Sequence, residues 1–397
     1  MRKRLIWPVV AALGLTLGLA VPSAAAAAAP SPGPVALVQG AVPHKLDPKF
    51  QQLADELPAL RERAEAVKAK LGLHDNPVQE AVLDAIDPTQ YKCSDATPPV
   101  VAAILPDTTN WTQEQALAVL HVLIFNMALM DAAYLPQPGP YTFGSHGQYT
   151  RTVNSTFKDL TKFWDIPSRG ISVVPAHGRS MLNAEVNYRV FTVLYGLDPA
   201  QSRVSADLVA HELNSPALGY GDLPIFTFNA YATPGGEDIP GYGKSPKRIA
   251  FGDGVMEGFA RVGLGSVAPQ AILGHEFGHQ VQFADSLMRP ELPGPEASRW
   301  AELMADSFSG YFLTHARGER MGLRQVRDFS QMFYQLGDCG FTADGHHGTP
   351  NQRLKASLWG YGVAVTIPPR NRVLPSLMVF HLFAAHYPRL IAPDATS

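Results

Sequence analysis

The chain has 397 residues, 46% of them hydrophobic and 17% charged, with a formal net charge of −3. That length can bury one large core or two modest ones. The near-neutral balance offers no surface for a polyanion, which argues against a nucleic-acid partner.

Arg2, Lys3 and Arg4 open the chain, Leu5 to Val21 is an apolar run, and Ala24 to Ala29 offers several A-x-A cleavage registers. This order predicts a secretory signal over residues 1–29. A run of about 17 residues is also just long enough for an uncleaved anchor. Small residues rather than charges follow it, however, which favours cleavage. No later apolar stretch is read as long enough to span. The mature protein is therefore expected to be secreted, with no membrane attachment once the signal is gone. Cys93 and Cys339 are the two cysteines. In an exported chain they allow one disulfide, with two buried free thiols as the alternative.

Residues 30–42, rich in proline and small residues, read as a linker. A mainly helical N-terminal region is expected over 43–140. Within it Phe50, Leu53, Leu57, Leu60, Ala64 and Val67 recur at helical spacing from Pro48 to Leu71. A short helix is expected over Pro77 to Ile86. A longer, buried one is expected over Trp111 to Tyr134, with Thr112 near its start. Pro136 to Pro140 breaks the chain, and 141–397 is expected to form an α+β catalytic domain. There Ser180 to Leu197 reads as a helix and Ile225 to Ala232 as a strand. Thr233 to Gly236 reads as a turn, and Arg248 to Phe251 as a partner strand. Helices follow over Ser266 to Leu287, Pro295 to Ala316 and Gly322 to Leu336, and an apolar helical tail over Leu374 to His386.

The chemistry concentrates in Gly274-His275-Glu276-Phe277-Gly278-His279. Two histidines four apart on a helix project from one face, so both imidazoles can reach one ion. Glu276 between them sits beside the ion, where it can take a proton from water and pass it to a leaving amine. Ser266 and Pro269 suit the helix start. The next helix carries Glu302 and Asp306, again on one face. Glu302 completes a His2Glu metal set with one position left for water. Asp306 is placed to accept a hydrogen bond from the far nitrogen of a ligand histidine. Asp285, six residues after His279, is a rival third ligand. That longer motif needs a glycine where this chain has Gln282, because the helix must end there. His211-Glu212 lacks a second histidine and reads as structural, and His315 lies several turns from Glu302.

Three blocks resemble the neutral zinc metallopeptidase family within the gluzincin class. They are GHEFGHQVQ at 274–282, RWAELMADSFSGYF at 299–312 and HGTPNQR at 347–353, the last preceded by Gly337-Asp338. The resemblance covers about residues 220–360. It implies a zincin-like fold and one catalytic Zn²⁺ held by His275, His279 and Glu302, with Glu276 as base. It also draws attention to His347, which could donate to the oxyanion of a tetrahedral intermediate, and to Arg353, which could pair with Asp306 or a substrate carboxylate; loop and helix-cap structure is the alternative for both. Cys339 departs from the family, which has a polar residue after Gly-Asp. IFTFNAYATPGG at 225–236 resembles the edge strand ahead of the active-site helix in zinc peptidases. There Asn229, Ala230 and Tyr231 would line an extended peptide. The expected function is hydrolysis of a peptide or protein substrate. A zinc-stabilised envelope interaction protein and a zinc hydrolase of a non-peptide amide are the alternatives. The N-terminal region could also be a propeptide over the cleft.

Overall fold

The computed structural model describes residues 48–73, 98–106, 108–338 and 345–392. The signal, the linker, the expected Pro77 to Ile86 helix and both cysteines lie outside them. The described residues form a mostly helical α+β fold.

The N-terminal half contributes α1 (Pro48–Lys70), α2 (Pro99–Ile104), α3 (Gln113–Phe125) and α4 (Met127–Tyr134). Thr112 caps α3 through a reciprocal capping box with Gln115. The single helix expected up to Tyr134 is broken at Asn126, which adopts left-handed φ 46°. The stretch Gln113–Tyr134 is long and apolar enough to cross a membrane, contrary to the expectation that no later stretch was. Here residues 116–134 of it are buried within the protein. α5 (Thr150–Phe163) then leads to β1 (Ser172–Ala176). The helix expected from Ser180 to Leu197 is instead a 3-10 turn, the short α6 (Ala184–Arg189) and a π turn over Val190–Leu194.

After α7 (Pro199–Leu213) come β2 (Ala230–Thr233), the hairpin strands β3 (Asp238–Ile239) and β4 (Gly243–Lys244), and β5 (Arg248–Gly252). The first part of the expected strand, residues 225–227, instead belongs to a 3-10 turn over Pro224–Thr227. The main sheet has the order β1-β5-β2, with β1 parallel and β2 antiparallel to β5, so β2 is an edge. α8 (Asp253–Arg261) follows β5 directly. Then come α9 (Ala268–Asp285), α10 (Gly294–Thr314), α11 (Leu323–Gln335), α12 (Pro350–Thr366) and α13 (Ser376–Leu390). α10 is the hub, packed extensively on both α9 and α12. One hydrophobic core runs from Phe50 in α1 to Leu390 in α13. Burying apolar surface in a shared core ties the two halves together.

Candidate metal centre

α9 starts without a side-chain cap: Val267 is the N-cap residue, and Pro269 occupies the first turn. Its body is buried through Ala271, Leu273, Phe277 and Val281. Gly274 and Gly278 lie where α9 crosses α10. A Cβ on Gly278 would sit 3.1 Å from Cα of Ala305, and one on Gly274 would sit 2.8 Å from Oγ of Ser309. Glycine at both positions lets the two backbones approach closely enough to share one site.

At that crossing, Nε2 of His275 lies 3.1 Å from Nε2 of His279. The Glu302 carboxylate spans the pair, with Oε2 3.3 Å from His275 Nε2 and Oε1 3.4 Å from His279 Nε2. Such separations match those between neighbouring ligands about 2.0–2.2 Å from one ion in a tetrahedral shell. Among the described residues this is the one group of histidine, cysteine and carboxylate side chains close enough to hold a metal ion.

The outward nitrogens are engaged, which turns both Nε2 atoms towards the shared point. His275 Nδ1 is 2.8 Å from Oδ1 of Asp306, and His279 Nδ1 is 2.9 Å from Oε1 of Gln282. A hydrogen bond at Nδ1 fixes the tautomer that leaves Nε2 with a lone pair. Asp306 is fully buried. It receives Nε and Nη2 of Arg353, each at 2.8 Å, so that arginine, which also lines the cleft, is paired with Asp306. Arg353 also donates to the Leu336 carbonyl and lies 3.5 Å from Glu302. The carboxylates of Glu302 and Asp306 thus share a single guanidinium. A divalent cation would correct that imbalance, and the donor set of two imidazoles and a carboxylate suits zinc.

Burial raises the pKa of Glu276 above the ordinary carboxylate range, although both histidines oppose the shift. Burial would lower the pKa of His275, but the negative charge of Glu302 and the hydrogen bond to Asp306 outweigh it and push it up to about 10.

His347 stands in the same cleft, brought there by the turn before α12. Its backbone N–H donates to Oδ2 of Asp338 at 2.6 Å, and its ring Nδ1 lies 3.5 Å from the same oxygen. The other Asp338 oxygen pairs with His346. Burial works to raise the pKa of Asp338, but hydrogen bonds from His346 and His347 hold it below the ordinary range. Asn229, Ala230 and Tyr231 line the cleft beside β2. The cleft holds about 470 Å³.

The remaining candidates stand apart. Asp285 accepts from Ser376 Oγ at 2.6 Å, which ties α9 to α13. The side chain of His211 is 85% exposed. His315 packs on Phe163 and Tyr311 and accepts at Nδ1 from the Arg317 backbone. The residues that sequence reasoning missed are Gln282 and Asp338. Gln282 carried a signal, since it follows His279 at i+3 on one helix face. Asp338 was visible only as part of a resembling block, without a role. No known family, no curated protein and no solved structure matches this chain.

Proposed function

We propose that this protein is an exported zinc-dependent peptidase with a zincin-like fold, allied to the neutral zinc metallopeptidases. The observation that carries the reading is the convergence of His275, His279 and Glu302 on one point, with Glu276 beside it at the floor of a cleft. The signal-like N-terminus supports export.

His275, His279 and Glu302 would hold the ion, and Asp306 and Gln282 keep the two imidazoles aimed at it. When bound, zinc supplies Lewis acidity that makes water more acidic and a carbonyl more electrophilic. Glu276 accepts a proton from the attacking water, whose oxygen bonds to the carbonyl carbon. The C–N bond then breaks, and Glu276 returns the proton to the departing nitrogen. His347, steadied by Asp338, is positioned to donate to the oxygen that gains negative charge. The β2 edge offers backbone groups to an extended peptide through β-augmentation.

The test compares the metal-loaded wild type with Glu276→Gln on a peptide mixture, alongside envelope amides. Wild type should cleave peptides, and the variant should retain its zinc while losing about 10²–10⁴-fold in rate. A zinc-loaded wild type that cleaves no peptide, or a fully active variant, would refute the assignment.

A further inference from the structure

The cleft is not built by the metal-bearing helices alone. Ala69, Gly72 and Leu73, at and just beyond the end of α1, line the same cavity as His275, Glu276 and His279. A specific helix stop puts them there. Gly72 takes left-handed φ 68°. Its N–H donates to the Ala69 carbonyl at 3.0 Å, and that of Leu73 donates to the Lys68 carbonyl at 2.9 Å. This is the Schellman arrangement, in which glycine reverses the chain and an apolar residue follows it inward. Leu73 is 5% exposed.

α1 itself is firmly seated. Leu53, Leu57, Leu60 and Ala64 are buried in the common core. Arg63 donates to the carbonyls of Tyr195 and Gly196, beyond the π turn. The rest of the lining away from the metal centre includes Val255, Phe283, Met288 and Leu336. The Phe283 ring stacks on that of His279, with centroids 6.5 Å apart, so the apolar wall begins against a ligand. The charged lining residue outside the centre is Arg289, which pairs with Glu291. Such a lining favours an uncharged, apolar side chain.

We propose that the end of α1 is a permanent wall of the cleft and that Leu73 is a specificity-determining residue, limiting the size of apolar side chain the cleft accepts. Residues 48–73 accordingly stay with the working protein and are not shed as a propeptide. This inference takes its ligand, a peptide, from the reading above.

The test uses full-length, zinc-loaded wild type, Leu73→Ala and Leu73→Trp. Each is titrated calorimetrically with the hydroxamates of Gly-Leu and Gly-Ala, with metal content and Tm recorded. Leu73→Trp should weaken the leucine probe at least tenfold relative to the alanine probe, the scale on which a hydrophobic pocket resolves side-chain size. Leu73→Ala should shift the preference towards bulk, and it carries the test if the tryptophan variant does not fold. Mass spectrometry of the active secreted protein should find residues 48–73 present. An unchanged probe ratio in folded, metal-loaded variants overturns the proposal, as does failure to bind either probe or an active chain that starts after Leu73. Peptide hydrolysis with an unchanged ratio would remove the wall and leave the peptidase reading standing. A changed ratio without hydrolysis would do the reverse.

Discussion

The side-chain amide oxygen of Gln282 accepts a hydrogen bond from Nδ1 of His279 at 2.9 Å, while its amide nitrogen donates to the Ala301 carbonyl at 2.7 Å. One buried side chain thus sets the tautomer of a candidate metal-ligating histidine and tethers α9 to α10. It occupies the position where the longer zinc motif would need a glycine. With glutamine there the helix runs on to Asp285, and Glu302 of α10 stands against both imidazoles.

Replacing this amide should therefore act through the metal. Gln282→Leu is expected to weaken zinc binding by about 10–100-fold, the usual effect of losing an orienting partner. Competition with a fluorescent chelator measures this directly. Unchanged affinity in a folded variant would show that His279 is held by other means.

The Arg353–Asp306 pair makes a prediction about stability. Both residues are buried, at 2% and 0% exposure, so removing Asp306 strips Arg353 of its two 2.8 Å carboxylate bonds and leaves it Glu302 at 3.5 Å. Asp306→Ala should cost about 3–5 kcal/mol in denaturant unfolding. Adding Arg353→Met to that variant should recover part of the loss, because it removes the stranded charge. A double variant less stable than Asp306→Ala would contradict this account.

Metal removal should loosen the same region. A ligand that binds only the folded state raises stability by RT ln(1 + [L]/Kd). Zinc at about 100 times its Kd should add roughly 2.7 kcal/mol. Dialysis against a chelator should lower Tm, and adding zinc back should restore it. Calorimetric scans identical with and without zinc would speak against a bound ion.

His121 gives the pH dependence. It is fully buried in α3 between the rings of Phe125 and Phe191, with Nδ1 2.8 Å from the Leu117 carbonyl. Burial pushes its pKa down to about 4 from an ordinary 6.5, although the bond to Leu117 opposes the shift. The unfolded chain therefore takes up a proton below pH 6.5 that the folded protein refuses until about pH 4. The stabilisation is complete above pH 6.5 and is lost as the pH falls towards 4. At about 1.4 kcal/mol per unit the loss is on the order of 3 kcal/mol. Urea unfolding at pH 7 and pH 4 should show wild type losing more stability than His121→Leu by about this amount. Parallel losses in the two proteins would reject it.

Several elements were hard to read because they are buried on more than one side. The Gln113–Tyr134 stretch is apolar all round, so nothing in its hydropathy marks the reversal at Asn126. α12 packs against both α10 and α11. Gly360, Ser357 and Ala356 replace large apolar residues there, which leaves no amphipathic stripe to detect. β1 is only five residues long, contains Pro175 and pairs with a strand far along the chain. α9, α10 and α11 were legible, with ends within three residues of those expected, because their lengths and breaks are local.

By itself the sequence determined that His275 and His279 share a helix face with Glu276 between them, since a four-residue step is nearly one turn of any α-helix. It also placed Glu302 and Asp306 together on the following helix. Only the tertiary structure decided that these two faces meet, through the close crossing at Gly274 and Gly278. The crossing, in turn, let Asp306, Arg353 and Gln282 lock the imidazoles, and chain reversal brought His347 and Leu73 to the cleft. Helical periodicity is a property of neighbours along the chain. The packing that joins residues separated by dozens of positions depends on which surfaces exclude water together.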